Sequence, residues 1–137
     1  MLRFEFMVLL VALDERPDRS ERVIAFAIAE AKLRKDKVVF VHSLFGEGKT
    51  SPKEIEEGEK LLKWAEEIAR KEGVEFETRL LVRGKEPAED IVEFADEINA
   101  NMVIIGVRKR RPAGKIIFGS VAQDIILHAS KPVVCVK

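Results

Sequence analysis

The chain has 137 residues, with 24 Lys plus Arg set against 24 Asp plus Glu and 47% apolar side chains. That length suits one domain with a real core, and the composition excludes a disordered or fibrous chain. Balanced charge excludes a molecule built as a whole to embrace a polyanion, so any basic site must be local.

The elements follow in chain order. "FEFMVLLVAL" (Phe4–Leu13) is apolar on both faces and reads as a strand covered from either side. It is far shorter than the about 20 residues of a membrane crossing, and no small-residue cleavage site follows it. A cytoplasmic location is therefore expected. Asp18 with Glu21 is expected to open a helix whose stripe is Ile24, Ala27, Ile28 and Ala31. A second buried strand spans Val38–Leu44, with His42 packed within it, and ends in the glycine-containing connection Phe45–Glu54. "SPKE" (Ser51–Glu54) is a capping box with proline at the first helical position. It opens a long helix carrying Leu61, Trp64, Ala65 and Ile68, with Trp64 expected in the core or at a dimer contact.

The third strand, Val74–Val82, sets Val74, Phe76, Thr78 and Leu80 against Glu75, Glu77 and Arg79. Such alternation marks an edge strand with one wet face. A helix from about Pro87 places Ile91, Phe94, Ala95 and Ile98 on one stripe, and a fourth strand covers Met102–Gly106. The last helix is expected from Ser120, with Gln123 completing a capping box, before a final strand at Pro132–Val136. Gly73, Asn99 and Asn101 are placed where helices should stop. This order predicts an α/β fold: a single-domain, open, parallel five-stranded sheet with helices on both faces.

Chemistry-bearing residues are few. Cys135 is the one cysteine, so there is no intrachain disulfide, and it reads as a small core residue. His42 and His128 are the two histidines, too few for a histidine-rich metal centre, and no metal site is expected. Neither G-x-x-x-x-G-K-[S/T] nor G-x-S-x-G occurs. The informative stretch is "GVRKRRPAGKIIFGSVAQD" (Gly106–Asp124). Gly106 ends a strand and Gly119-Ser120 begins a helix at the sheet's carboxyl edge, where open α/β sheets bind ligands. A helix start offers unpaired amides and the positive end of a dipole, and a glycine lets an anion come close. The same residues can equally serve as a turn and an N-cap. The run Arg108-Lys109-Arg110-Arg111 reads as an exposed charged loop or as a source of phosphate contacts from Arg108 and Lys109. No flanking aromatics and no reading helix support nucleic-acid binding.

These segments resemble the universal stress proteins, of the adenine nucleotide alpha-hydrolase-like superfamily. The nucleotide-binding members carry G-x2-G-x9-G-[S/T]; Gly106 fills its first position and Gly119-Ser120 its last, with Lys109 in place of the second glycine. "LLVALD" ending at Asp14, "FVHSL" and "VRGKEPAED" resemble the family's other landmarks, so the likeness spans nearly the whole chain. It implies one domain over residues 1–137, strand order 3-2-1-4-5, and homodimers joined through the last strand. It also implies adenine-nucleotide binding, ATP with or without Mg2+. On that basis Ala12, Asp14 and the backbone near Ser43 meet the nucleoside. Gly106, Gly119, Ser120 and Val121 meet the phosphates, with Arg108 and Lys109 adding charge. Arg16 and Arg19, in a turn longer than the family's, are within reach of the same phosphates. Catalysis beyond slow hydrolysis is not expected, since no general base is evident. The competing expectation is a nucleotide-free dimeric stress protein acting through protein contacts, with the side chain of Lys109 filling the pocket.

Overall fold

The computed structural model describes residues 7–108 and 118–137. The elements alternate as β1 (Val8–Ala12), α1 (Pro17–Arg34), β2 (Lys37–Leu44), α2 (Pro52–Lys71), β3 (Phe76–Val82), α3 (Pro87–Glu97), β4 (Met102–Gly106), α4 (Ser120–His128) and β5 (Val133–Val136). The sheet order is β3-β2-β1-β4-β5 and every pairing is parallel. Order, class and strand number are those expected from the sequence.

Period-two alternation in the central strands feeds two separate cores. Leu9 and Val11 of β1, with Val38 and Phe40 of β2, pack against Val23, Ile24 and Ala27 of α1 and Leu62 and Ala65 of α2. Leu10, Val39 and Val41 face the other way, against Ile91 and Phe94 of α3 and Ile125 of α4. Helices on both faces thus explain why these strands are apolar at every position. The edge strand β3 is half-wet as predicted, Glu77 and Arg79 exposed and Thr78 and Leu80 half-buried. The alternation flips at its end, where Leu81 is buried in the α3 core. Trp64 is half-buried against the α1–α2 core.

The capping box at α2 forms as read: Ser51 Oγ accepts the Glu54 N–H and Glu54 Oε1 accepts the Ser51 N–H, both at 3.2 Å. One other helix start and one other cap differ from expectation. α1 begins at Pro17 with Arg16 as its N-cap, one turn-position before Asp18, because the proline ring presets the helical φ and the Arg16 carbonyl already accepts the Ser20 N–H at 3.0 Å. α4 is capped by Gly119, not Ser120; the Gly119 carbonyl accepts the Gln123 N–H at 2.9 Å, so Ser120 is the first helical residue and no capping box forms. The hydroxyl of Ser120 is therefore not used as a cap. Asn99 stops α3 in the left-handed region at φ 51°, while Lys35 does the same for α1 at φ 59°. Phe4 to Phe6 of the first predicted strand lie outside the described residues.

Candidate functional site

Parallel strands β1, β2 and β4 end together, and their carboxyl ends bound a cleft of about 600 Å³. Ala12, Asp14, Ser43, Gly106, Arg108, Gly119, Ser120 and Val121 all line it. Lys109, the remaining expected site residue, lies outside the described residues, as does the rest of the basic run.

The β1–α1 turn is braced from within. Asp14 Oδ1 accepts the Arg16 N–H at 2.9 Å, and its carbonyl accepts the buried Ser20 hydroxyl at 2.8 Å. Asp14 Oδ2 is ion-paired with Arg19 Nη1 at 2.9 Å. Each carboxylate oxygen keeps a second lone pair, so Asp14 can still accept from a ligand hydroxyl. Arg16 and Arg19 both line the cleft. The stem of Arg19 lies over Gly106, where an added Cβ would meet Arg19 Cγ at 2.5 Å and Val23 Cγ2 at 2.8 Å. The bareness of Gly106 thus makes room for this guanidinium, a reason that its place in the motif did not reveal.

Gly119 is different. It is exposed, its φ of −65° suits any residue, and an added Cβ would meet no described atom within 4 Å. Nothing in the described packing requires a glycine here. The N-cap of α4 supplies no side-chain acceptor to its first turn. The amides there point outward with the positive end of the dipole. Ser120 and Arg108 stand at the same end, both exposed.

The other end is apolar. Pro87 and Ile91 of α3, Ile105 of β4 and Ile125 of α4 line it. In the sequence these isoleucines are ordinary core positions; only the three-dimensional overlap of three elements brings them to the wall of one cleft. His42 closes the cleft on the α1 side. Its Nδ1 donates to the Leu13 carbonyl at 2.8 Å, which fixes the tautomer and ties β2 to the end of β1. Ser43 is 6% exposed and its hydroxyl donates to Asp90 Oδ2 at 2.9 Å. Asp90 is fully buried and its Oδ1 accepts from Arg83 Nε at 2.6 Å. Arg83 in turn donates to both oxygens of Glu97 and lies over the Phe94 ring. Its hydrogen bonds to Glu97 and then to Asp90 push the Arg83 guanidinium above its already high ordinary value, so it is a permanent cation. Cys135, on β5, is half-buried, and burial pushes its thiol up, away from reactive thiolate. Among the described residues no group of three His, Cys, Asp or Glu is placed to hold a metal ion, and no helix is long and apolar enough to cross a membrane.

The cleft thus brings polar and apolar side chains together. Known proteins resemble this chain over most of its length. A universal stress protein of Archaeoglobus fulgidus, 56% identical, superposes with a TM-score of 0.90 over 97% of this chain and all of that one. The structure of the universal stress protein from Archaeoglobus fulgidus in complex with dAMP is 52% identical, with a TM-score of 0.85 over 96% of this chain and 98% of that one. A universal stress protein of Mycolicibacterium smegmatis is 32% identical over 114 residues, covering 83% of this chain and 85% of its own. The family model for the universal stress protein family matches residues 5–137. A match of that extent, on the predicted strand order and with the motif residues gathered in one cleft, makes this chain a member of the universal stress protein family.

Proposed function

We propose that the chain binds an adenine nucleotide, ATP or a shorter relative, in the cleft at the ends of β1, β2 and β4. The observation that carries this reading is the start of α4 itself: it lines the cleft, its N-cap Gly119 supplies no side-chain acceptor, and no described atom lies within 4 Å of where a Cβ on Gly119 would stand. Such a helix start is what a phosphate needs, and packing of the described residues does not require the glycine. The complex of the 52% identical Archaeoglobus relative with dAMP supports the same ligand class. The base occupies the apolar slot of Pro87, Ile91, Ile105 and Ile125, and the sugar hydroxyls meet Asp14. The phosphates meet the α4 amides, Ser120, and the guanidinium groups of Arg19 and Arg108. ATP brings Mg2+ with its own phosphate oxygens, which suits a cleft lined by two carboxylates, Asp14 and Glu15, of which Asp14 is already ion-paired. Hydrolysis is not part of the proposal. Binding acts by favouring one conformation or assembly of the protein.

The test is titration calorimetry of protein stripped of co-purified nucleotide, with AMP and ATP, alongside Ser120→Ala. Saturable binding is expected at one site per chain, weakened in the variant by about 10- to 150-fold, the value of one hydrogen bond to a charged group. No heat with either nucleotide removes this reading.

A homodimer completes the proposal. β5 is an edge strand with every residue half-exposed, and beside it α4 leaves Ile126 39% and Leu127 67% exposed. An open edge next to exposed apolar side chains is a surface that a two-fold copy can cover by strand pairing. Light scattering should give twice the 15.5 kDa chain mass. A monomer at micromolar concentration contradicts it.

A further inference from the structure

We infer that Ser43 reads the base, as a hydrogen-bond acceptor whose proton is held by the buried carboxylate of Asp90. The inference rests on the adenine-nucleotide reading of the cleft and names the feature of the ligand that this chain selects.

Three observations converge. Ser43 lines the cleft on β2, and its bond to Asp90 places its side chain beside the Pro87–Ile91 turn of α3, at the apolar end where the ring sits. Asp90 has no exposed surface, and its Oδ1 accepts from Arg83 Nε at 2.6 Å. Its Oδ2 accepts the one hydroxyl proton of Ser43 at 2.9 Å. What remains on Ser43 Oγ is lone-pair density. An oxygen in that state pairs with an N–H and repels a carbonyl oxygen.

A purine bearing an exocyclic amino group presents such a donor; one bearing a carbonyl at that position presents oxygen to oxygen. Arg83 and Asp90 do not touch the base in this scheme. They are positioning residues, and they act by fixing which way the Ser43 hydroxyl points. Glu97 holds the far side of Arg83, so the chain of contacts runs from the surface of α3 to the cleft.

Calorimetric titration with AMP and with purine riboside 5′-monophosphate, which lacks only the amino group, tests the inference. The wild-type protein is expected to favour AMP by roughly five- to tenfold, the worth of one hydrogen bond. Ser43→Ala removes the acceptor and should bring the ratio close to one. Asp90→Asn keeps the size and the Arg83 contact but turns an amide N–H toward Ser43 Oγ, which takes one of its two lone pairs and frees the hydroxyl proton to face the base, and should collapse the ratio in the same way. A structural role alone would weaken both nucleotides equally and leave the ratio where it was. A wild-type ratio of one, or a ratio unchanged in both variants, overturns the inference while AMP binding stands. Absence of binding by either nucleotide removes the site reading, and this inference with it.

Discussion

Replacing Arg83 by methionine is expected to lower stability by about 3 kcal/mol, near the foot of the range for stripping one partner from a buried ion pair. For a chain of this length that shift moves the thermal midpoint down by roughly 10 °C. The cause lies in the partner that stays behind. Asp90 is fully buried, and without the guanidinium its Oδ1 carries charge into the α3 core with only the Ser43 hydroxyl to answer it. Arg83 itself is 30% exposed, so water can reach part of the gap, which keeps the cost at the lower end. Urea denaturation with far-ultraviolet detection checks the value. Lys32→Met, which breaks an exposed pair with Glu72 between α1 and the end of α2, is the control and should leave the midpoint unchanged. Equal losses in the two variants would show that burial of Asp90 is not what matters.

The second large effect separates binding from folding. Gly119→Asp should abolish nucleotide binding, by about a hundredfold or more, while leaving the melting temperature within about 2 °C. Aspartate is among the preferred N-cap residues, and the backbone at Gly119 is extended, with no described atom within 4 Å of the missing Cβ. The fold accepts it. Its carboxylate, however, would take the amides and the dipole end that the phosphates need, and would repel them. Calorimetric titration and a thermal melt on the same preparation give both readouts. Retained affinity in Gly119→Asp would mean that the ligand does not use the start of α4.

How much of this was legible beforehand follows from the range of each interaction. Strand order and helix faces rest on local periodicity and on the resemblance, and both carried through to the observed sheet. The Ser51–Glu54 capping box is a four-residue event and was read correctly. The start of α1 and the cap of α4 differ from expectation because neighbouring residues compete for one cap, while α4 starts at Ser120 as expected. At α1 the proline won over Asp18, and at α4 the extended backbone of Gly119 won over the Ser120 hydroxyl.

The expected site residues, Lys109 aside, line one cleft because they sit at the ends of parallel strands and at one helix start. Two features had no sequence signal. Arg19 fills the space over Gly106 from a different element, so the glycine's motif position hides its packing partner. Asp90 looks like one more acid in a charged helix turn. Only a contact across 47 positions of sequence shows it to be the buried anchor of Ser43.

The central claim is that an adenine nucleotide lies with its phosphates against the start of α4. Amide chemical shifts of nitrogen-15-labelled protein, followed while AMP is added, address it residue by residue. The account predicts saturating shifts largest at Gly119, Ser120 and Val121, with a second group at Asp14 to Arg16, and little change along β3. Saturation with the α4 amides unmoved, or no shift at millimolar AMP, would contradict it.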